Sequence, residues 1–140
     1  ENLPTADNSV DAVVSNCVIN LSPNKRRVFN EAFRVLRPGG RFMISDIVLL
    51  KDLPAFIRKN IDAYVECVSG AVMKPEYLRL INEAGFHQVR VMEETVFPVE
   101  SFLNDVDTIR AMKKFSISAK KAKDLASSVA SVKVYGLKPA

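Results

Sequence analysis

The sequence predicts an α/β fold with a mostly parallel sheet and an antiparallel last strand. Val10–Val14 is a short apolar run, β-branched at Val10, Val13 and Val14, bounded by Asn8-Ser9 and Ser15-Asn16. A strand buried on both faces of a parallel sheet has this pattern. Arg41–Leu50 is a second such run, interrupted by Asp46. A helix-length amphipathic stretch separates the two. Strand, helix and strand within about 40 residues make a βαβ unit, with a right-handed crossover expected.

Taken in order, Leu3–Ser9 reads as a loop, because Pro4 disfavours helix before it and Asp7-Asn8-Ser9 favours a turn. Ser22 is the expected N-cap of the first helix, with Pro23 at its first position. Val28, Ala32, Val35 and Leu36 form its apolar stripe, widened by Phe29 and Phe33, and Pro38-Gly39-Gly40 stops it. A second helix is expected from Ala55 to Cys67, broken by Ser69-Gly70. A third runs from Glu76 to Ala84, closed by Gly85. A strand over Gln88–Val96 turns Val89, Val91 and Met92 inward. Ser101–Met112 is ambiguous, with Phe102, Leu103, Val106 and Ile109 at helical spacing. Ser118 caps a helix over Ala119–Ala126. The last strand, Ser128–Leu137, alternates Val132, Val134 and Leu137 and is expected at an antiparallel edge. Phe29, Phe33, Phe42 and Phe86 are expected in the core.

With 140 residues, 48% hydrophobic and 26% charged, the chain can bury a real core. No apolar run approaches the ~20 residues of a membrane span, and no export signal opens the chain, so a cytoplasmic location is expected. Two cysteines do not make a disulfide framework. The net charge of +4 is uneven: eight Lys or Arg against one acid, Asp124, from Arg110 onward. Without interleaved aromatics this reads as a solvated helix face, and no nucleic-acid partner is expected. The first residue is Glu1, so a longer polypeptide is expected.

In open α/β sheets, ligands bind outside the carboxyl ends of the strands. The first strand presents a thiol there, Cys17. As plain residues, Cys17 and Cys67 can equally be small buried hydrophobes. Two thiolates make a poor structural zinc site, which wants four ligands. Asp46 either lines a pocket or is a polar strand end. Asp11 is expected to bond nearby backbone amides, and His87 to be a surface loop residue. Gly39 and Gly40 form a turn with no helix after it, so they cradle no phosphate.

The segments Leu3-Pro4, Asp7-Asn-Ser-Val-Asp11, Ser15-Asn-Cys-Val-Ile-Asn-Leu21 and Phe33-Arg-Val-Leu-Arg-Pro-Gly-Gly40-Arg resemble class I S-adenosylmethionine-dependent methyltransferases. Ser15–Leu21 together with Cys67-Val-Ser-Gly-Ala71 looks like arsenite methyltransferases, and the resemblance covers nearly the whole chain. It implies the C-terminal half of a Rossmann-like class I methyltransferase sheet. The half with the glycine loop, the ribose-binding acid and a further cysteine is expected upstream. It implies S-adenosylmethionine as cofactor, with Leu3, Pro4, Asn16, Cys17 and Val18 on its pocket wall. It also implies arsenite, or its thiol conjugates, as substrate, with trivalent arsenic held by the thiolates of Cys17 and Cys67. Soft thiolates suit a thiophilic centre. This segment alone is expected to be inactive. The rival readings are a related methyltransferase of a small organic molecule, or a non-catalytic fragment that self-associates through its open sheet edge.

Overall fold

The computed structural model describes residues 1–53, 68, 70–98, 104 and 106–140. In chain order the elements are β1 (Val10–Asn16), a single 3₁₀ turn (Ile19–Leu21), α1 (Lys25–Val35), β2 (Leu36–Leu49), α2 (Lys74–Glu83), β3 (His87–Val96), α3 (Val106–Lys114), α4 (Ala119–Ala126) and β4 (Val129–Leu137). The helix expected from Ala55 to Cys67 lies outside the described residues. So do Phe102 and Leu103, while Val106 and Ile109 fall on α3 but are exposed.

The four strands form one sheet in the order β1-β2-β4-β3. β1 and β2 are parallel, as the crossover through α1 requires. β4 runs antiparallel to both β2 and β3. The expectation of a mostly parallel sheet therefore needs correcting. β1, β2 and β3 point the same way, but β4 is inserted between β2 and β3, so two of the three ladders are antiparallel. The last strand is antiparallel as expected, yet it is interior, and β3 takes the edge.

The expectation that β1 is buried on both faces also fails. Val10 and Val13 are partly buried, but Val14 is 78% exposed. Among the described residues β1 pairs only with β2, and α1 covers the Val10–Val13 face alone. Met43, paired with Val14, is exposed with it. Met92, expected inward, is exposed as well.

Asn24, not Ser22, caps α1, its side chain accepting from the Arg27 N–H at 3.0 Å. The helix ends at Val35, and Leu36 is already extended. Pro38-Gly39-Gly40 thus lies inside β2 and interrupts its ladder: the partner register jumps from Val10–Leu36 to Ala12–Arg41. Gly39 takes φ +78° there, and its N–H donates to the Lys138 carbonyl at 3.0 Å. Ser118 caps α4 as expected.

One core fills the space between the sheet and the layer of α1 and α2. Phe29 and Ala32 of α1 and Tyr77, Leu80 and Ile81 of α2 pack on Phe42, Ile44 and Val48 of β2 and Val132 and Val134 of β4. Phe33 and Phe42 meet Phe86 edge-on, at 5.2 and 4.3 Å between ring centres. The four phenylalanines lie in this core as expected, Phe33 at its margin. A smaller cluster on the other side holds Ile47, Leu49, Leu53, Ala71 and Val129.

Candidate functional site

The candidate site is the turn leaving β1. Asn16 ends the strand exposed, Cys17 is half-buried, and Val18 is 57% exposed. Cys17 has φ +54°, the left-handed region that costs a side-chain-bearing residue about 1–2 kcal/mol. Its N–H donates to the Ser45 carbonyl at 2.8 Å, so the turn is tied to the neighbouring strand. Strained residues of this kind cluster at ligand sites. Cys17 packs against the smaller cluster, and so does Val68, the residue that follows Cys67 in the chain. Cys67 itself lies outside the described residues.

Asn16, Cys17 and Val18 are therefore together at the exit of β1. Leu3 and Pro4 are not with them: they run along the flank of α1. The Leu3 N–H donates to Glu31 at 2.8 Å, and Arg34 donates to the Leu3 carbonyl at 3.1 Å. Glu1 joins the two regions, its carboxylate accepting from the Ser22 hydroxyl and the Asn24 N–H. These two donors pull the Glu1 carboxyl below the usual carboxylate range. The paired guanidinium of Arg34 and the Leu3 N–H hold Glu31 at about 2.

Beneath the exit lies a buried polar cluster. Asp46 on β2 and Tyr77 on α2 are both fully buried, and the Tyr77 hydroxyl donates to Asp46 Oδ2 at 2.9 Å. Asp46 Oδ1 accepts from the Ile47 N–H at 2.9 Å. Asn20, also buried, donates through Nδ2 to the Ile47 carbonyl at 2.7 Å. Lys25 donates to the carbonyls of Asn20 and Ser22 at 3.4 and 3.2 Å. Burial pushes the Asp46 carboxyl up against the pull of its donors and of Lys25. It pushes the Lys25 ammonium down, with Asp46 opposing. The Tyr77 hydroxyl is driven far up, first by burial, then by Asp46, and also by Cys17.

Asp46 is thus neither on a pocket wall nor a solvated strand end. Tyr77, Asn20 and Lys25 were not singled out from the sequence. The available signal was a tyrosine on an apolar helix stripe, whose hydroxyl needs a partner once buried. Asp11 does not bond backbone amides: it is exposed and pairs with Arg37 at 3.0 Å. His87 is exposed, at the start of β3 rather than in a loop. Among the described residues, no three His, Cys, Asp or Glu side chains converge to hold a metal ion.

A model of the methyltransferase domain matches residues 1–85. The chain belongs to this methyltransferase domain family. It is 40% identical over 117 residues to an arsenite methyltransferase of Halobacterium salinarum, covering 84% of this chain and 29% of that protein. It is 39% identical over 93 residues to the arsenite methyltransferase of Homo sapiens, covering 66% and 25%. The crystal structure of an arsenic(III) S-adenosylmethionine methyltransferase from Chlamydomonas reinhardtii superposes with a TM-score of 0.68 at 29% identity, covering 98% of this chain and 40% of that one. The chain therefore spans between a quarter and two fifths of the length of these relatives.

These matches bear out the resemblance read from the motifs, and with it S-adenosylmethionine as the family's cofactor. The residues at the exit of β1 fit one wall of such a site. Exposed Val18 and Leu21 offer apolar surface, and exposed Asn16 offers an amide beside them. Among the described residues no glycine loop stands at this exit to complete a cradle. No helix of the described residues is long and apolar enough to cross a membrane.

Proposed function

We propose that this chain is part of an S-adenosylmethionine-dependent methyltransferase acting on trivalent arsenic held by the thiolates of Cys17 and Cys67. The observation that carries the reading is the position of Cys17. It sits on a strained turn at the carboxyl end of a sheet strand, packed in the same apolar cluster as Val68. The identity to proteins named arsenite methyltransferases supports the choice of acceptor.

Arsenite binds two thiols by exchange: each As–S bond forms as an As–O bond breaks, and the thiol proton leaves with the hydroxide as water. Soft thiolates favour that product and leave the arsenic lone pair available. When bound, S-adenosylmethionine supplies an electrophilic methyl group. The work of the chain's own residues is positioning. Asn16 and Val18 line the cofactor side of the exit. Leu3 and Pro4 belong to a wall reached through Glu1. Cys17 presents its sulfur from a backbone fixed to Ser45.

The deciding experiment is arsenite binding to the wild-type chain, Cys17→Ser and Cys67→Ser, read as bound arsenic per chain. Tight one-to-one binding lost in either variant is expected. Binding that survives both substitutions would remove arsenic as the acceptor and leave a methyltransferase of a small organic substrate. No turnover is expected from this segment alone. Solution as a monomer would set aside self-association through the outer edge of β1.

A further inference from the structure

Residues 1–7 are strapped to α1, and the helix holds them largely by their main chain. Every nitrogen of the Arg34 guanidinium is engaged. Nε and Nη2 donate to the two carboxylate oxygens of Glu31 at 2.7 and 2.9 Å. Nη2 also donates to the Leu3 carbonyl at 3.1 Å, and Nη1 to the Thr5 carbonyl at 2.9 Å and to the Asp7 carboxylate. Glu31 in turn accepts from the Leu3 N–H at 2.8 Å. Nearer the start of the helix, Arg27 Nε donates to the Glu1 carbonyl at 3.0 Å and Nη2 to Asn2 Oδ1 at 2.9 Å. The strap ends at Glu1, on the Ser22 hydroxyl and the Asn24 N–H.

A partly exposed ion pair adds little to stability. What the fork supplies is direction, since a planar guanidinium sets the geometry of the carbonyls it bonds and a point charge does not. Leu3 is 41% exposed although both its N–H and its carbonyl are held. A segment fastened for stability alone gains most by turning such a side chain into the core. At the other end of the strap, Ser22 follows Leu21, and Leu21 and Val18 are exposed apolar side chains as well. Ligand sites are lined by apolar side chains with a few placed polar groups, and exposed Asn16 supplies an amide at the exit of β1.

We infer that Glu31 and Arg34 are positioning residues for the cofactor: together they fix Leu3 and Pro4 as a wall of the S-adenosylmethionine site, joined through Glu1 to the wall at the exit of β1. The inference rests on the placing of Leu3 and Pro4 at the cofactor proposed above, and takes nothing from the choice of methyl acceptor. A wall set before the ligand arrives spares binding the cost of ordering the segment. The fork does this through the main chain and leaves the Leu3 side chain outward.

The test titrates S-adenosylmethionine, at millimolar concentration, into the isotope-labelled full chain. The variants are Arg34→Lys, the exchange of Glu31→Arg with Arg34→Glu, and Leu80→Ala as a packing control from α2. Two readouts are taken: the Kd from the amide shifts of Leu3 and of Asn16, Cys17 and Val18, and the midpoint of urea unfolding. In the wild type both groups of amides are expected to shift together. In Arg34→Lys the Kd should rise about five- to ten-fold, as for loss of hydrogen bonds to a charged group, and the Leu3 shift should vanish while those of Asn16 to Val18 persist. The exchange keeps an ion pair on the helix but reverses donor and acceptor, so it should hold the urea midpoint and still lose the affinity. Leu80→Ala should lower the midpoint and leave the Kd as it is. An unchanged Kd in Arg34→Lys and in the exchange would overturn the inference. So would Leu80→Ala weakening binding as much, which would mean mere loosening of the fold. A wild-type chain in which the cofactor shifts Asn16 to Val18 but not Leu3, or shifts neither, would remove the reading underneath, a different result from a Leu3 shift that Arg34→Lys leaves intact.

Discussion

Lys138 Nζ donates to the carbonyl of Phe33 at 2.7 Å, joining the end of the chain to the last turn of α1 across 105 residues. The same ammonium donates to the Leu36 carbonyl and to Asn8 Oδ1, both at 2.8 Å, and lies 4.5 Å from the centre of the Phe33 ring. A cation is favoured where carbonyls at a helix end carry partial negative charge. Lys138→Met keeps the apolar stem and removes all three bonds. A loss of about 1–3 kcal/mol is expected in urea unfolding, because two carbonyls are left without their donor. A change below about 0.5 kcal/mol would mean that water replaces the ammonium at no cost.

Gly136 faces Phe42 across the β2–β4 ladder. A Cβ built on Gly136 would clash with Phe42 Cε1, and Phe42 is fully buried, with its ring against Phe86. Gly136→Ala should therefore destabilise by about 1–3 kcal/mol through overpacking. Gly39 has nothing within 4 Å of a built Cβ, so Gly39→Ala meets only the strain of φ +78°. It should cost about 1–2 kcal/mol with no clash. Restoration of Gly136→Ala by Phe42→Leu would confirm the steric cause.

The first residues are held to α1 by carboxylates. Glu31 has a folded pKa of about 2 against an ordinary value of 4.5, because Arg34 and the Leu3 N–H bond its charged form. Glu1 is lowered in the same direction by Ser22 and Asn24. A depressed carboxylate stabilises above its unfolded pKa, and the contribution fades as pH falls through the folded value. Between about pH 4.5 and 2 the Leu3 N–H should lose protection from hydrogen exchange, while the amides of β2 and β4 keep theirs. Glu31→Gln should make Leu3 protection independent of pH over that range. An unaltered pH dependence in that variant would assign the anchoring elsewhere.

How far the sequence could be read depended on whether the signal was local. The first βαβ unit was legible because β-branched runs and a helical stripe are patterns within one segment, although α1 ends at Val35 and the Pro-Gly-Gly expected to stop it lies inside β2. Ser118 as the cap of α4 was legible for the same reason. The boundary of α1 was missed by two residues, since Asn24 competes with Ser22 for the cap and Glu1 engages Ser22 instead. Cys17 was found from the chemistry expected at a strand exit, but its positive φ leaves no mark in residue identity.

The sequence by itself determined an α/β chain, a crossover between β1 and β2, and membership of a methyltransferase family, because short-range periodicity and contiguous motifs carry those. Only the tertiary structure decided that β4 slides between β2 and β3, that Val14 is exposed, and that Asp46 belongs to Tyr77 rather than to a pocket. Pairing partners and buried polar contacts join residues tens of positions apart. Their free energy depends on which surfaces the packed chain brings together and removes from water, and no stretch of sequence read alone encodes that.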